Sequence, residues 1–232
     1  MPIFKFINDA GIVGWVIVTV GFAAFALTLE RIYTLYHKYG MNFDAFALKI
    51  QNLISQKRHE EALAICHELK DKPLAQAFKT IIEKADQTED TIFQAHDIAL
   101  AETIPLVTKR LHHISMTANV ATLLGLLGTI HGLILSFAAV AQADPSQKQV
   151  LLANGISVAM YTTALGLIVA IPLMVAYSFL VSRQNEIVGK IQEKTGKLTE
   201  QLTSYDLISW QGGSSVTVNQ NKTPPPLAQK VS

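Results

Sequence analysis

"LLGLLGTIHGLILSF", residues Leu123 to Phe137, sets three glycines, a threonine, a histidine and a serine in an otherwise aliphatic run. A segment this apolar belongs in a bilayer, so its glycines and hydroxyls need a reason. At 100° per residue, with Thr129 as origin, Ser115, Ala118, Thr122, Gly125, Gly132 and Ser136 all fall within about 60° of it. His131 points roughly the other way. One face of a membrane helix is therefore small and hydroxyl-bearing for about six turns.

Two readings of this face stay open. Lipid supplies no hydrophobic drive between helices, so close approach depends on small residues, and the stripe can be a packing seam with its hydroxyls bonded to their own backbone. It can equally line a polar route or cradle a charged group of a partner. The third apolar helix repeats the device: Gly155, Ala159, Thr162, Thr163, Gly166 and Ala170 share one side, and Asn154, Ser157 and Tyr161 the other. Two such sides facing each other are expected to leave a narrow slot. Pro172 lies within this helix, which membrane helices tolerate.

Composition agrees with a membrane assignment. Half of the 232 residues are hydrophobic, only 16% are charged, and the formal net charge is +1. Mean hydropathy is +0.29. Soluble domains carry about 25% charged residues. A span needs about 20 apolar residues, and three stretches qualify: 10–29, 114–143 and 150–181. None contains Asp, Glu, Lys or Arg, and His131 is the one ionisable side chain of the second. The first stretch has the length of a signal peptide, but only Lys5 precedes it, no small-residue cleavage pattern follows, and Glu30-Arg31 closes it.

Of 19 lysines and arginines, only Lys5 and Lys148 lie before the first span or between the second and third; eleven lie from Arg31 to Arg110 and six after the third span. The positive-inside rule then predicts an outer (periplasmic) N-terminus, 1–9, and outer loop, 144–149, with a cytoplasmic helical domain over 30–113 and a cytoplasmic C-terminus.

In 30–113, Phe43, Phe46, Ala47, Ile50, Leu53 and Ile54 recur at helical spacing, as do the apolar residues of "RHEEALAICHEL" (58–69). Pro73 can open a further helix, and Thr88 or Asp90 can cap the next. That helix meets no strong stop before Ala143; Pro105 would kink it rather than end it. After the third span, Ile187, Ile191, Leu198, Leu202 and Tyr205 keep an apolar stripe, so helix is expected through the extension 182–210. The tail 211–232 is polar, with glycines and prolines, and reads as disordered. The predicted fold is an all-α membrane protein with three transmembrane helices, the second and third extended into the cytoplasmic domain.

Several functions are excluded by what is missing. No nucleophile stands with a base, no phosphate-binding loop with its lysine, and no metal cluster is present; His59 and Cys66 share a face but two ligands fall short of a zinc site. The expectation is a non-enzyme without cofactor. Intramembrane ion paths centre on an ionisable residue. If the chain conducts, His131 or a partner subunit supplies the titrating group; His131 can also serve as a hydrogen-bonding structural residue.

The second-span segment, followed by "GISVAMYTTALGLIVAIP" (155–172), resembles the MotA/TolQ/ExbB proton-channel family, closest to its ExbB and TolQ branch. "LERIYTLY" after the first span and "EEALAICHELKDKPLAQAFK" in the cytoplasmic part are similar to that branch too, and the likeness covers about residues 10–200. It implies an inner-membrane subunit that forms a homo-oligomeric ring, typically a pentamer, around a single-span partner similar to ExbD or TolR. Such an assembly is an ion-driven, chiefly proton-driven, motor that energises outer-membrane transport or envelope maintenance, with a protein like TonB or TolA downstream.

Residue by residue, Thr129 and Thr163 match the family's threonines in the second and third helices, which would meet the partner's transmembrane aspartate and the ion. Thr122, Ser136 and Thr162 become pore-facing candidates, and Gly125, Gly132, Gly155 and Gly166 close-packing positions. Val158 stands where many members carry a glutamate, which leaves Na⁺ open as the coupling ion. Thr122 stands where a proline is usual, and His131 replaces a residue that is often tryptophan. A non-conducting membrane scaffold is the alternative.

Overall fold

The computed structural model describes residues 10–213, with Phe4, Ile7 and Asn8, and side chains through Ser204. Helix α1 (Gly11–Tyr33) passes into a π-helical turn (Thr34–Lys38); α2 (Phe43–Ser55), α3 (His59–Glu68), α4 (Pro73–Ile82) and α5 (Glu89–Thr108) follow, then α6 (Leu111–Gln142) and α7 (Lys148–Gly213). No strand occurs among the described residues. Three helical segments are long and apolar enough to cross a membrane: Gly11–Lys38, Glu89–Gln142 and Lys148–Ser204. The architecture is an all-α, multi-pass membrane fold.

Local sequence sets the short helices. Asn42, extended at the start of α2, accepts the Ala45 N–H at 3.1 Å, satisfying one of the donors that a helix start leaves free. Pro73 opens α4, where its missing N–H costs nothing. Phe43, Phe46, Ala47, Ile50 and Ile54 are buried, and Phe46 meets Phe78 of α4 with ring centroids 5.7 Å apart. Ile187, Ile191, Leu198 and Leu202 of α7 join this core. Helices α2–α5 thus pack on the C-terminal half of α7, which also holds α2 through Lys194 Nζ to Asp44 at 2.5 Å and Gln201 Nε2 to the Gln51 carbonyl at 3.0 Å.

Cys66 lies in the same core, and burial pushes its thiol up to about 12. The thiolate is the reactive species, so alkylation at pH 8 is expected to run on the order of a thousandfold slower in the folded protein than in the unfolded one. Because the folded thiol resists ionisation, the site costs stability only as pH rises past the ordinary thiol value, between about 9 and about 12. Alkylation rates with and without denaturant check this.

The helix expected to run unbroken from Thr88 to Ala143 is interrupted. Pro105 is accommodated inside α5; the break falls four residues later, where Lys109 is extended (ψ 136°) and Arg110 is left-handed (φ 66°). A left-handed arginine costs on the order of 1 kcal/mol, and its guanidinium is held by Glu30 of α1 through one nitrogen at 2.6 and 2.7 Å. A tertiary ion pair therefore helps fix a bend that the local sequence does not announce. Both partners are about two-fifths exposed, so Glu30→Gln is expected to lower stability by about 1 kcal/mol, and by less in high salt. Unfolding in detergent at two ionic strengths measures it.

A second difference lies at the C-terminal end. Helix α7 continues past Tyr205 to Gly213, three residues into the stretch expected as a tail; the remainder of that tail, 214–232, lies outside the described residues.

Candidate functional site

Helices α6 and α7 run antiparallel and pack along their glycines. A Cβ on Gly125 would stand 3.3 Å from both the Thr162 carbonyl oxygen and Thr163 Cα; one on Gly132 would be 3.1 Å from Ala159 N; one on Gly166 would be 2.8 Å from the Ala121 carbonyl oxygen. Backbones this close gain dispersion contacts along the whole interface, the main attraction available between helices in lipid. The slot expected between the two small-residue sides is therefore absent within one chain. Glycine removes the side chains that would have propped it open, and the helices close on each other.

The hydroxyls divide into two groups. Thr162 and Ser136 are 1% and 3% exposed and lie inside the seam rather than on an open surface. Thr162 Oγ1 donates to the Ala159 carbonyl at 2.8 Å, and Ser136 Oγ to the Leu151 and Leu152 carbonyls at 3.4 Å, the latter tying the end of α6 to the start of α7. Gly155 packs on Ser136. Gly128, outside the stripe drawn from Thr129, is also buried, and a Cβ there would meet the Thr162 side chain at 2.5 Å. It could have been found by following glycine spacing alone, without weighting the hydroxyls.

Thr129 and Thr163 are half-buried and Thr122 is exposed. Thr129 Oγ1 donates to the Leu126 carbonyl at 2.6 Å, Thr122 Oγ1 to the Ala118 carbonyl at 3.2 Å, and Thr163 Oγ1 reaches the Ala159 and Gly125 carbonyls at 3.3 and 3.4 Å. In antiparallel helices, equal rotational offsets from the contact line point to the same flank. Thr122, Thr129 and Thr163 therefore share one flank of the seam. Helix α1 covers the other: a Cβ on Gly21 would stand 2.8 Å from the Val169 side chain, and one on Gly14 4.0 Å from that of Leu165.

The chemistry available on the free flank follows from those hydrogen bonds. A hydroxyl that donates to a backbone carbonyl keeps its lone pairs, so it can accept a proton-bearing acid; turned outward, it can donate to a carboxylate. The same flank can thus receive a carboxyl group in either state. His131 lies on the α1 side, beside Val158 and Thr162. No group of three or more potential metal ligands occurs among the described residues.

Comparison with known proteins bears on the family. The sequence model of the MotA/TolQ/ExbB proton channel family matches residues 67–193. A biopolymer transport protein ExbB homologue of Methanothermobacter thermautotrophicus is 26% identical over 194 residues, 82% of this chain and 67% of that protein. The biopolymer transport protein ExbB of Aquifex aeolicus is 41% identical over 34% of this chain and 53% of its own length. The Tol-Pal system protein TolQ of Haemophilus influenzae is 31% identical over 48% of this chain and 46% of its own length. The chain thus spans about two thirds of the first of these relatives and about half of the other two. The solved structure of C. jejuni MotAB aligns over 88% of this chain and 83% of its own, with 15% identity and a TM-score of 0.47. The family is one of channel proteins rather than enzymes, and with more than half of its residues matched, three membrane-length helices and the paired glycine-threonine helices, this chain belongs to the MotA/TolQ/ExbB proton channel family.

Proposed function

We propose that the chain is the ring-forming subunit of an ion-driven channel in a bacterial inner membrane, with its N-terminus outside and its helical domain in the cytoplasm. In this reading several copies, five by family likeness, enclose a single-span partner of the ExbD or TolR kind. The partner's transmembrane aspartate moves along the flank that carries Thr129 and Thr163. The observation that carries the reading is a mismatch: hydroxyls lie open on one flank of a tightly closed helix pair, while the spans contain no acid for them to serve. A polar flank facing hydrocarbon is unfavourable, and a guest helix with a carboxylate would cover it and use it.

The ion named here is the proton, because a carboxyl that alternates between acid and carboxylate suits hydroxyls able to accept or donate. One charge crossing 100 mV releases about 2.3 kcal/mol, so a few ions per step suffice to drive a rotation coupled to outer-membrane transport or envelope maintenance. A non-conducting scaffold is the second reading; it is favoured by the closed seam, which consumes the glycines inside one chain, and by Val158, which offers no acid. Reconstitution into liposomes with the single-span neighbour, and without it, separates the two. Proton flux that requires the partner is the expected result; a tight liposome in both cases sinks the channel reading, and flux carried by Na⁺ alone replaces the ion.

A further inference from the structure

At the end of the helix bundle opposite the cytoplasmic domain lies a cavity of about 240 Å³. Its walls are residues 10–13 at the start of α1, Gly128, His131 and Leu135 of α6, and Val158 and Thr162 of α7. It is a different surface from the threonine flank, being on the α1 side of the seam. His131 is the only histidine in the three spans, which hold no Asp, Glu, Lys or Arg; the other ionisable side chains there are the phenols of Tyr161 and Tyr177 in the third. None of the hydrogen bonds or ion pairs among the described residues involves it. An unpartnered imidazole at membrane depth is costly, and such residues face water or mark an ion path.

The cavity has room for several waters at about 30 Å³ each. It offers two polar side chains, the His131 imidazole and the Thr162 hydroxyl, and no charged side chain lines it from α1, α6 or α7. Asp9 precedes the cavity-lining residues in sequence and lies outside the described residues. Thr162 stands at the cavity's inner wall and is buried in the seam, its hydroxyl bonded to the Ala159 carbonyl. Its neighbour Thr163 opens on the opposite flank. With glycine at 128 no side chain comes between the cavity and Thr162, and a Cβ there would run into it. The order cavity water, His131, Thr162, Thr163 therefore leads from one flank of the α6–α7 pair to the other.

We propose that His131 and this cavity are the proton-loading vestibule of the channel: the imidazole takes a proton from cavity water at one ring nitrogen, leaving hydroxide to be neutralised by the outer solution. The imidazolium then gives its proton to a relay through the Thr162 and Thr163 hydroxyls, each passing one proton on as it takes one, and the partner's carboxylate receives it and becomes the neutral acid as the ring returns to neutral. The inference rests on the channel reading above and names a second titrating group besides the partner's acid. Imidazole is suited to it because its ordinary pKa, about 6.5, lies near working pH.

The test uses the chain reconstituted with its single-span partner, with proton flux followed from pH 5 to 8. The intact complex is expected to show an inflection in flux that depends on His131. His131→Gln, which keeps hydrogen-bonding capacity but cannot titrate, is expected to lose that inflection and about tenfold of the flux at pH 6. Thr162→Val should lower flux while keeping the inflection. Nitrogen-15 spectra of His131, assigned by difference against the glutamine variant, should show the ring titrating in this range. A ring that holds one protonation state throughout, or a His131→Gln complex with an unaltered flux profile, overturns the vestibule and leaves the channel standing. An intact complex that passes no protons overturns the channel reading itself, and the vestibule with it.

Discussion

Gly166→Val is expected to separate α6 from α7 and to cost on the order of 3 kcal/mol of stability, the upper range for overpacking a tight interface. The reason is that the clash is with backbone. A Cβ at this position would lie 2.8 Å from the Ala121 carbonyl oxygen and 3.0 Å from Gly125 Cα, neither of which can rotate aside. The helices must part, and in lipid nothing compensates, because tails are as apolar as the valine. Every glycine contact along the seam loosens together, so oligomers should be lost as well as thermal stability. Gly189, in the C-terminal half of the same helix, is the internal control: nothing lies within 4 Å of its Cβ position. Gly189→Ala should raise stability by roughly 0.5–1 kcal/mol through helix propensity alone. Thermal unfolding and sizing in detergent read both; a Gly166→Val protein as stable as its parent would mean that the closed α6–α7 seam does not carry the fold.

Thr129→Val and Thr163→Val are expected to do the reverse, leaving fold and assembly in place while reducing ion flux tenfold or more, a cost of about 1.4 kcal/mol or greater in the barrier. Valine replaces the hydroxyl by a methyl of similar size, and both side chains bond only to main-chain carbonyls, which keep their helical partners. Stability should shift by about 1 kcal/mol or less, the net worth of one such hydrogen bond. A carboxyl arriving on this flank, however, would find a methyl where it needs a donor or an acceptor. Serine restores the hydroxyl, so Thr129→Ser and Thr163→Ser should recover much of the flux. Wild-type flux in both valine variants would remove these two residues from the ion path. The free flank would then be a surface for packing between copies.

The spans were legible because bilayer thickness imposes a length and a composition that few other segments meet, and 10–29, 114–143 and 150–181 meet both. The short helices α2–α4 were legible from 3.6-residue periodicity, down to Pro73 at a helix start. The bend at Lys109–Arg110 was not. It depends on Glu30, eighty positions away, and Pro105, the visible breaker, sits inside an intact helix. The π-helical turn at Thr34–Lys38 was likewise silent, since it is a matter of main-chain bonding such as that from Tyr39 N–H to the Thr34 carbonyl, five residues back.

The glycine-and-hydroxyl pattern determined that α6 and α7 each have a side built for close approach, because periodicity and residue size are properties of a single helix. Which hydroxyls are spent inside the contact and which stay outside was decided only when the helices paired. A rotation of about 50° between the glycine line and the threonine line buries Thr162 and Ser136 and leaves Thr129 and Thr163 on the rim. The same rotation, with α1 laid against one flank, put His131 and Thr162 on a common cavity. No reading of one helix at a time could supply that juxtaposition, because it is a relation between three of them.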